Sequence, residues 1–369
     1  MKKRIILFLG FLLMFAISSF SQKELVISGG SSVSSLVCSN NFVFVTGANE
    51  KGNCGASNCS GTLGVGSSAS KVSEWTQVIF PNNETMQQVN SGSGQSFIAL
   101  SCGNSGNKVW CWGDNTSGQC GQGTIGGIVD HPAQVKVGCL AGTAYDCDGY
   151  LCNVDVVYAG NANSFAILGD GPYKGYLVAW GGNMQAYESS LGVGHNNRAS
   201  SPEWCIDLNG NKMKNIVQIF SGDDATLALD SDGHVWSCGA VQKTSTGLGR
   251  LASGGYCAPT GNNGGPSNKF GLVYVAQGQL LSNITQIAAG DVSYLALDKD
   301  GYVWSWGDTW NHACGQGANV GSSSPQRVIK GNTDDEDNDG TYLLAKQIGA
   351  GQSSGMAVSI TGKPVTWGA

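Results

Sequence analysis

Two stretches of this chain lie over each other without a gap. Ile284-Thr-Gln-Ile-Ala-Ala-Gly290-Asp-Val-Ser-Tyr-Leu-Ala-Leu-Asp-Lys-Asp-Gly301-Tyr-Val-Trp-Ser-Trp-Gly307 and Ile216-Val-Gln-Ile-Phe-Ser-Gly222-Asp-Asp-Ala-Thr-Leu-Ala-Leu-Asp-Ser-Asp-Gly233-His-Val-Trp-Ser-Cys-Gly239 share order and spacing throughout. The same order returns over 86–113, 154–181 and 345–368. A weaker copy over 25–47 ends Phe42-Val-Phe-Val-Thr-Gly47, which makes six copies. The first glycine of the five clear units falls at 92, 160, 222, 290 and 351, a period of 61–68 residues. A constant frame with variable spacers means one repeated unit whose loops absorb insertions at little cost.

Within the frame each segment reads as a strand. Val/Ile-x-x-Ile-x-x-Gly is a short apolar strand stopped by a glycine, and Ser-x-x-Ala-Leu is a second. Asp232-Gly233 and Asp300-Gly301 supply the dipeptide best suited to a tight hairpin. Val-Trp-x-Trp-Gly is a third strand. A fourth comes from the spacers, as Pro132-Ala-Gln-Val135 and Pro325-Gln-Arg-Val328, less regularly from Pro202 onward, and around Val78 and Val275. Composition agrees, since 56 of the 369 residues are Gly and only 12% are charged, which suits turns and strands and excludes a coiled coil. Four-stranded sheets repeated along a chain make propeller blades, because radial repetition protects the sheet edges. A parallel β-helix would use shorter repeats and few Asp-Gly hairpins. The expected fold is all-β, a β-propeller of tandem four-stranded blades with six repeats visible.

Val303-Trp-Ser-Trp-Gly307 followed by Gly315-Gln316-Gly317 resembles the regulator-of-chromosome-condensation repeat. So does Val109-Trp-Cys-Trp-Gly113 followed by Gly118-Gln-Cys-Gly121-Gln-Gly123. The resemblance covers about 25–369. It implies a ring of blades, usually seven, with partners bound on one face or at the rim. The chain stops at Trp367-Gly368-Ala369, before the turn and Pro-x-x-Val strand that the repeat leads one to expect. Five spacers serve six units, so one blade is expected to be a strand short. Either the chain is part of a longer protein, the favoured reading, or its ring closes imperfectly. The family's nucleotide exchange on a nuclear GTPase is not carried over, because this chain is expected to be exported.

That expectation rests on the first residues. Lys2, Lys3 and Arg4 precede an apolar run over 5–17, thirteen residues long, the length of a signal-peptide core and too short to span a bilayer. Ser19-Phe20-Ser21 gives a small-x-small cleavage pattern, so 1–21 reads as a signal peptide and 22–369 as the propeller, secreted or at the cell surface. Losing three positive charges takes the formal net charge from −6 to −9, which argues against nucleic acid and anionic lipid as partners. No later stretch is apolar enough for membrane insertion. Thirteen Cys in an exported chain point to disulfides, with local pairs such as Cys54–Cys59 and pairing among Cys139, Cys147 and Cys152. Cys120 and Cys314 stand at a leucine slot of the repeat and Cys238 at a tryptophan slot, so these read as buried free thiols.

Candidate chemistry is sparse. Gly351-Gln-Ser353-Ser-Gly355 matches a hydrolase nucleophile pattern, but it occupies the stretch between two strands rather than a strand-to-helix elbow. The Asp residues at the hairpins recur in one slot, as turn formers do. Asp335, Asp337 and Asp339 alternate before Gly340 like the first half of a calcium loop, with Lys346 where the closing Glu would stand. The segment reads equally as an incomplete calcium site or a solvated acidic turn. Trp310 and Tyr187 are aromatics in turns after the Trp-Gly strand, candidates for partner binding beside the reading that they fold back on their own blade. The Trp residues of the repeat slots read as blade packing. The leading function is a binding scaffold for a protein or glycan, the alternatives being an extracellular carbohydrate lyase or hydrolase with carboxylates at the propeller mouth, and a spacer in a larger surface protein.

Overall fold

The computed structural model describes residues 26–368 apart from 30–31, 50–60, 67–68, 93–94, 104–105, 183–189, 223–224, 240–247, 250–267, 291–292, 308–312, 318–321 and 352. Sheet 1 comprises β1 (Val26–Gly29), β2 (Val33–Val37), β3 (Val43–Ala48) and β4 (Lys71–Gln77). Sheet 2 comprises β5 (Met86–Ser91), β6 (Ser96–Ser101), β7 (Val109–Asp114) and β8 (Ile128–Gln134), followed by a small hairpin of β9 (Asp146–Cys147) and β10 (Tyr150–Leu151). Sheet 3 comprises β11 (Val154–Ala159), β12 (Asn163–Leu168), β13 (Leu177–Gly181) and β14 (Ala199–Trp204). Sheet 4 comprises β15 (Ile216–Ser221), β16 (Ala225–Asp230), β17 (Val235–Gly239) and β18 (Gly271–Leu272), followed by the hairpin of β19 (Tyr274–Ala276) and β20 (Gln279–Leu280). Sheet 5 comprises β21 (Ile284–Ala289), β22 (Ser293–Asp298), β23 (Val303–Gly307) and β24 (Ser322–Arg327). Sheet 6 has three strands, β25 (Ala345–Ala350), β26 (Ser354–Ser359) and β27 (Pro364–Gly368). Strands pair antiparallel in chain order, and the described residues contain no α-helix. The all-β architecture of repeated four-stranded blades is as the sequence predicts.

Two recurring contacts explain why the repeat folds this way. In the second-to-third-strand turns of sheets 4 and 5, Asp230 and Asp298 act as pegs. Asp298 Oδ1 accepts the N–H of Asp300 and Tyr302 at 3.0 and 2.9 Å, while Oδ2 accepts Trp304 Nε1 at 2.9 Å. Asp230 does the same with Asp232, His234 and Trp236. These carboxylates are turn formers, as their slot suggests. The fourth strand docks through one N–H onto the first residue of the third. Val78 donates to Val43 O, Val135 to Val109 O, Cys205 to Leu177 O, Val273 to Val235 O and Val328 to Val303 O, all at 2.8–3.1 Å.

Neighbouring sheets are joined by a glycine under an indole. Gly64 lies against Trp112, Gly121 against Trp180, Gly249 against Trp306 and Gly315 against Trp367, so close that a Cβ would meet the ring at 2.5–3.3 Å. Trp112, Trp180 and Trp367 each donate Nε1 to a carbonyl of that same loop, Leu63, Gln119 and Ala313 respectively. Where sheet 4 carries Cys238 instead, Gly192 meets Phe270 and the thiol, and Cys238 Sγ donates to Ser190 O. A second clamp is a glutamine amide that pairs with the first strand of the next sheet. Gln286 Nε2 donates to Ile348 O and its Oε1 accepts Ile348 N–H, both at 2.9 Å, and Gln218 and Gln88 bridge likewise to β21 and β11.

The second strands show where neighbours end. In β6, β12, β16 and β22 every residue is buried, because both faces meet another sheet. In β2 and β26 burial alternates. On β2 the residues Val33 and Val37 join the core shared with sheet 2, leaving Leu36 half-buried on the other face; on β26 Ala357 faces sheet 5 and Met356 and Val358 are half-buried. Among the described residues the six sheets thus form an arc with one face at each end that no other sheet covers.

Candidate functional site

The richest surface constellation lies on sheet 3 and the segment before it. Gly138–Leu140 is a short 3-10 turn, and the β9–β10 hairpin that follows is braced by a Cys147–Cys152 disulfide. That bond answers one expectation, whereas Cys54 and Cys59 lie outside the described residues. The braced segment buries Tyr145, whose hydroxyl donates to Gly169 O at 3.1 Å and accepts Tyr173 N–H at 3.0 Å. Tyr173 is thereby fixed in the β12–β13 turn. Its ring packs edge-on to Tyr176 and Trp204 with centroids 5.4 and 5.1 Å away. Lys212 places its ammonium 3.7 Å from the Trp204 ring centroid and 5.0 Å from that of Tyr173. Beside it His195 Nε2 and Glu203 Oε2 are 2.7 Å apart. The same theme recurs on sheet 5, where the Arg327 guanidinium stands 3.7 Å from the Tyr302 ring centroid.

Half-buried aromatic rings held by buried hydrogen bonds offer rigid contact area, and the cation above them is exposed to solvent. This cluster was not among the residues singled out from sequence. Its partners come from four separate segments of the repeat frame, and only the unusual density of Tyr and Trp over 145–204 hinted at it.

The predicted site residues fare differently. Trp310 and Tyr187 lie outside the described residues. Asp335, Asp337 and Asp339 are described, and they do not come together as one cluster. The carboxylates within 4.8 Å of one another are those of Asp334, Glu336 and Asp337. Lys363 holds this group, with Nζ 2.6 Å from Asp334 Oδ2, 2.8 Å from Glu336 Oε1 and 3.5 Å from Asp337 Oδ2. Asp337 is buried and accepts the Thr361 N–H and hydroxyl at 3.1 and 2.7 Å. Burial raises the Asp337 carboxyl, but Thr361, Ser359 and Lys363 outweigh it and hold it below the usual carboxylate range. Asp339 instead caps the next turn, accepting from Thr341 and Tyr342, and these bonds lower it as well.

The other candidates are structural. Ser353 lies between β25 and β26, with no helix after it. Cys120, Cys238 and Cys314 are buried, and burial pushes the Cys120 thiol well up, which keeps it protonated and inert. Trp112, Trp180 and Trp306 are fully buried between sheets.

Comparison with known proteins places this architecture. The model of the regulator of chromosome condensation (RCC1) repeat matches residues 216–240 and 284–316, which hold the first three strands of sheets 4 and 5 and, after sheet 5's third strand, the segment up to Gln316. The fold is a β-propeller of the kind that RCC1 repeats build, and two of its blades match that repeat. This propeller is 26% identical over 328 residues to the human E3 ubiquitin-protein ligase HERC2, covering 88% of the chain and 6% of HERC2. It is 27% identical over 299 residues to the protein pim1 of Schizosaccharomyces pombe, covering 78% of the chain and 49% of pim1. The propeller therefore spans about half of pim1 and a small part of HERC2. Human WBSCR16 superposes with a TM-score of 0.66 at 20% identity, over 95% of this chain and 77% of WBSCR16. Prp20p of Saccharomyces cerevisiae, whose structure was described with its binding to Gsp1p and histones, gives 0.63 at 20% identity over 89% of this chain and 67% of Prp20p.

Proposed function

We infer that this propeller is an exported protein-binding scaffold whose partner seats on the rim of sheet 3. The observation that carries the reading is the Tyr173–Tyr176–Trp204 cluster beneath Lys212, fixed from behind by Tyr145 and the disulfide-braced hairpin. Rigid tyrosine and tryptophan anchors with an adjacent cation are the side chains that dominate protein interfaces. The protein-binding record of Prp20p supports a protein partner rather than a glycan. Export is supported by Lys2-Lys3-Arg4 with the apolar run over 5–17 and agrees with a disulfide in the rim loop.

A photo-crosslinking residue at position 176, introduced in the cells that make the protein, tests the reading. One discrete crosslinked polypeptide is expected, and Trp204→Ala should remove it while the melting temperature stays within a few degrees. If no adduct forms, or if it survives Trp204→Ala, the rim is not the partner surface. Fractionation of the same cells checks export. Protein confined to the cytoplasm with residues 1–21 retained refutes that part.

A further inference from the structure

On the rim of sheet 5, the guanidinium of Arg327 at the end of β24 is held by aromatic rings alone. Its central carbon stands 3.7 Å from the Tyr302 ring centroid, 5.1 Å from that of Trp304 and 5.6 Å from that of Tyr342. Tyr302 and Trp304 sit at the start of β23, and Tyr342 is bridged to Ile329 in the segment after β24. Ring faces attract the charge but are no substitute for acceptors in the guanidinium plane. Arg327 Nε is closed to solvent and has no acceptor, and the guanidinium has no ion pair among the described residues. A donor left unmet in this way is costly, so its retention calls for a reason.

The carboxylates nearby are committed elsewhere. Asp298 is taken by Asp300, Tyr302 and Trp304. Asp339 accepts the N–H groups of Thr341 and Tyr342 at 2.9 and 2.7 Å and bonds the Tyr302 hydroxyl. Arg327 acts on it only as a neighbouring positive charge. Nor does the blade need an arginine at this place. Arg327 lies opposite Trp304, the second residue of its third strand. The same place is held by Gln77, Gln134, Trp204 and Leu272 in sheets 1 to 4, none of them charged. In sheet 4 Trp236 makes the same indole bond to Asp230 with Leu272 opposite it, so ring and blade are complete without a cation.

We propose that Arg327 is the seat for one carboxylate, brought by an acidic side chain of a partner polypeptide. The guanidinium is flat, permanently charged and fixed on its rings before a partner arrives, which suits a bidentate carboxylate. That carboxylate supplies the acceptor that Asp298 and Asp339 do not. A formal net charge of −6 weighs against a polyanion, whereas one fixed cation matches one acid. The site is separate from the sheet 3 rim and does not depend on it.

The probe is sodium acetate, titrated into the isotope-labelled whole chain with ionic strength held constant by sodium chloride and followed by NMR. The arginines of the chain are Arg4, Arg198, Arg250 and Arg327, so the Nε–H signal lost in Arg327→Lys identifies the reporter. A shift of that signal that saturates at millimolar acetate is expected in the unaltered chain. The Trp304 indole N–H reports on the variants. Arg327→Lys keeps the charge without the fork and should weaken acetate about tenfold, and Arg327→Gln should abolish binding. A shift that chloride alone reproduces overturns the site. Phosphate bound more tightly than acetate also overturns it, since the ligand would then be a tetrahedral oxyanion. In the producing cells a photo-crosslinker in place of Ile329, which is 39% exposed, supplies the second arm. A polypeptide adduct that Arg327→Gln removes is expected. Acetate binding without any adduct would make the ligand a small free carboxylate and overturn the polypeptide partner.

Discussion

Asp298 closes the β22–β23 turn with both oxygens, accepting two backbone N–H groups and one indole N–H. Removing a buried acceptor strands its donors, so Asp298→Ala should cost about 2–3 kcal/mol in urea unfolding. Asp300→Ala, two residues on and exposed, should cost less than about 0.5 kcal/mol. Equal costs would mean that the Asp-x-Asp spelling rather than the peg matters. Asp337 makes a prediction in pH. Its folded carboxyl is depressed below the ordinary 3.8, so between the folded and unfolded values the unfolded chain binds more protons. This contribution is fully present above the ordinary carboxylate range and drains as pH falls through the folded value. The urea midpoint should therefore fall on acidification below about pH 4, and Asp337→Asn should flatten that limb. Calcium tests the same loop. A melting temperature raised by millimolar calcium and insensitive in Asp337→Ala supports an ion site, whereas no change leaves Lys363 as the cation of the loop.

Between elements, the recurring clamps decide how blade follows blade. Gly121 has φ +63, and a Cβ there would meet Val135 at 2.7 Å and Trp180 at 2.8 Å. Gly121→Ala should destabilise by more than about 2 kcal/mol, whereas Gly210→Ala, at φ +84 with open space around it, should cost only about 1 kcal/mol of backbone strain. Chemical denaturation of the two variants separates crowding from strain. The strands themselves were legible, because apolar spacing, Asp-Gly turns and Trp-Gly ends are local signals. The one short sheet was legible too, since five spacers served six units. The glutamine clamp was in view as well, at Gln88, Gln218 and Gln286, but its meaning depends on the next blade and no local pattern expresses it. Gln286→Ala should lose both bonds to Ile348, about 2 kcal/mol, while Gln286→Glu keeps only the acceptor and falls between. The sheet 3 rim was hidden for the same reason, as Tyr145, Tyr173, Trp204 and Lys212 meet only after three turns have been placed.

Across the molecule, cohesion is unequal. The largest apolar core runs unbroken from sheet 2 to sheet 5, while sheets 1 and 6 join it through smaller clusters on one face each. Sheet 6 has both an outward face, with Met356 and Val358 half-buried, and an outward edge at β27. Local opening costs least where few apolar contacts and many solvent-facing hydrogen bonds hold an element. Opening of β26–β27 exposes little surface beyond Ala357 and the Trp367 contact with Gly315, whereas opening of β12–β13 exposes a strand buried on both faces. Hydrogen exchange under native conditions should therefore release β26–β27 amides orders of magnitude before those of β12–β13, with sheet 5 between them. Simultaneous exchange of sheets 3 and 6 would show that the clamps transmit stability along the whole arc. In that case Gln286→Ala should uncouple the two, and its effect would spread beyond the one interface it spans.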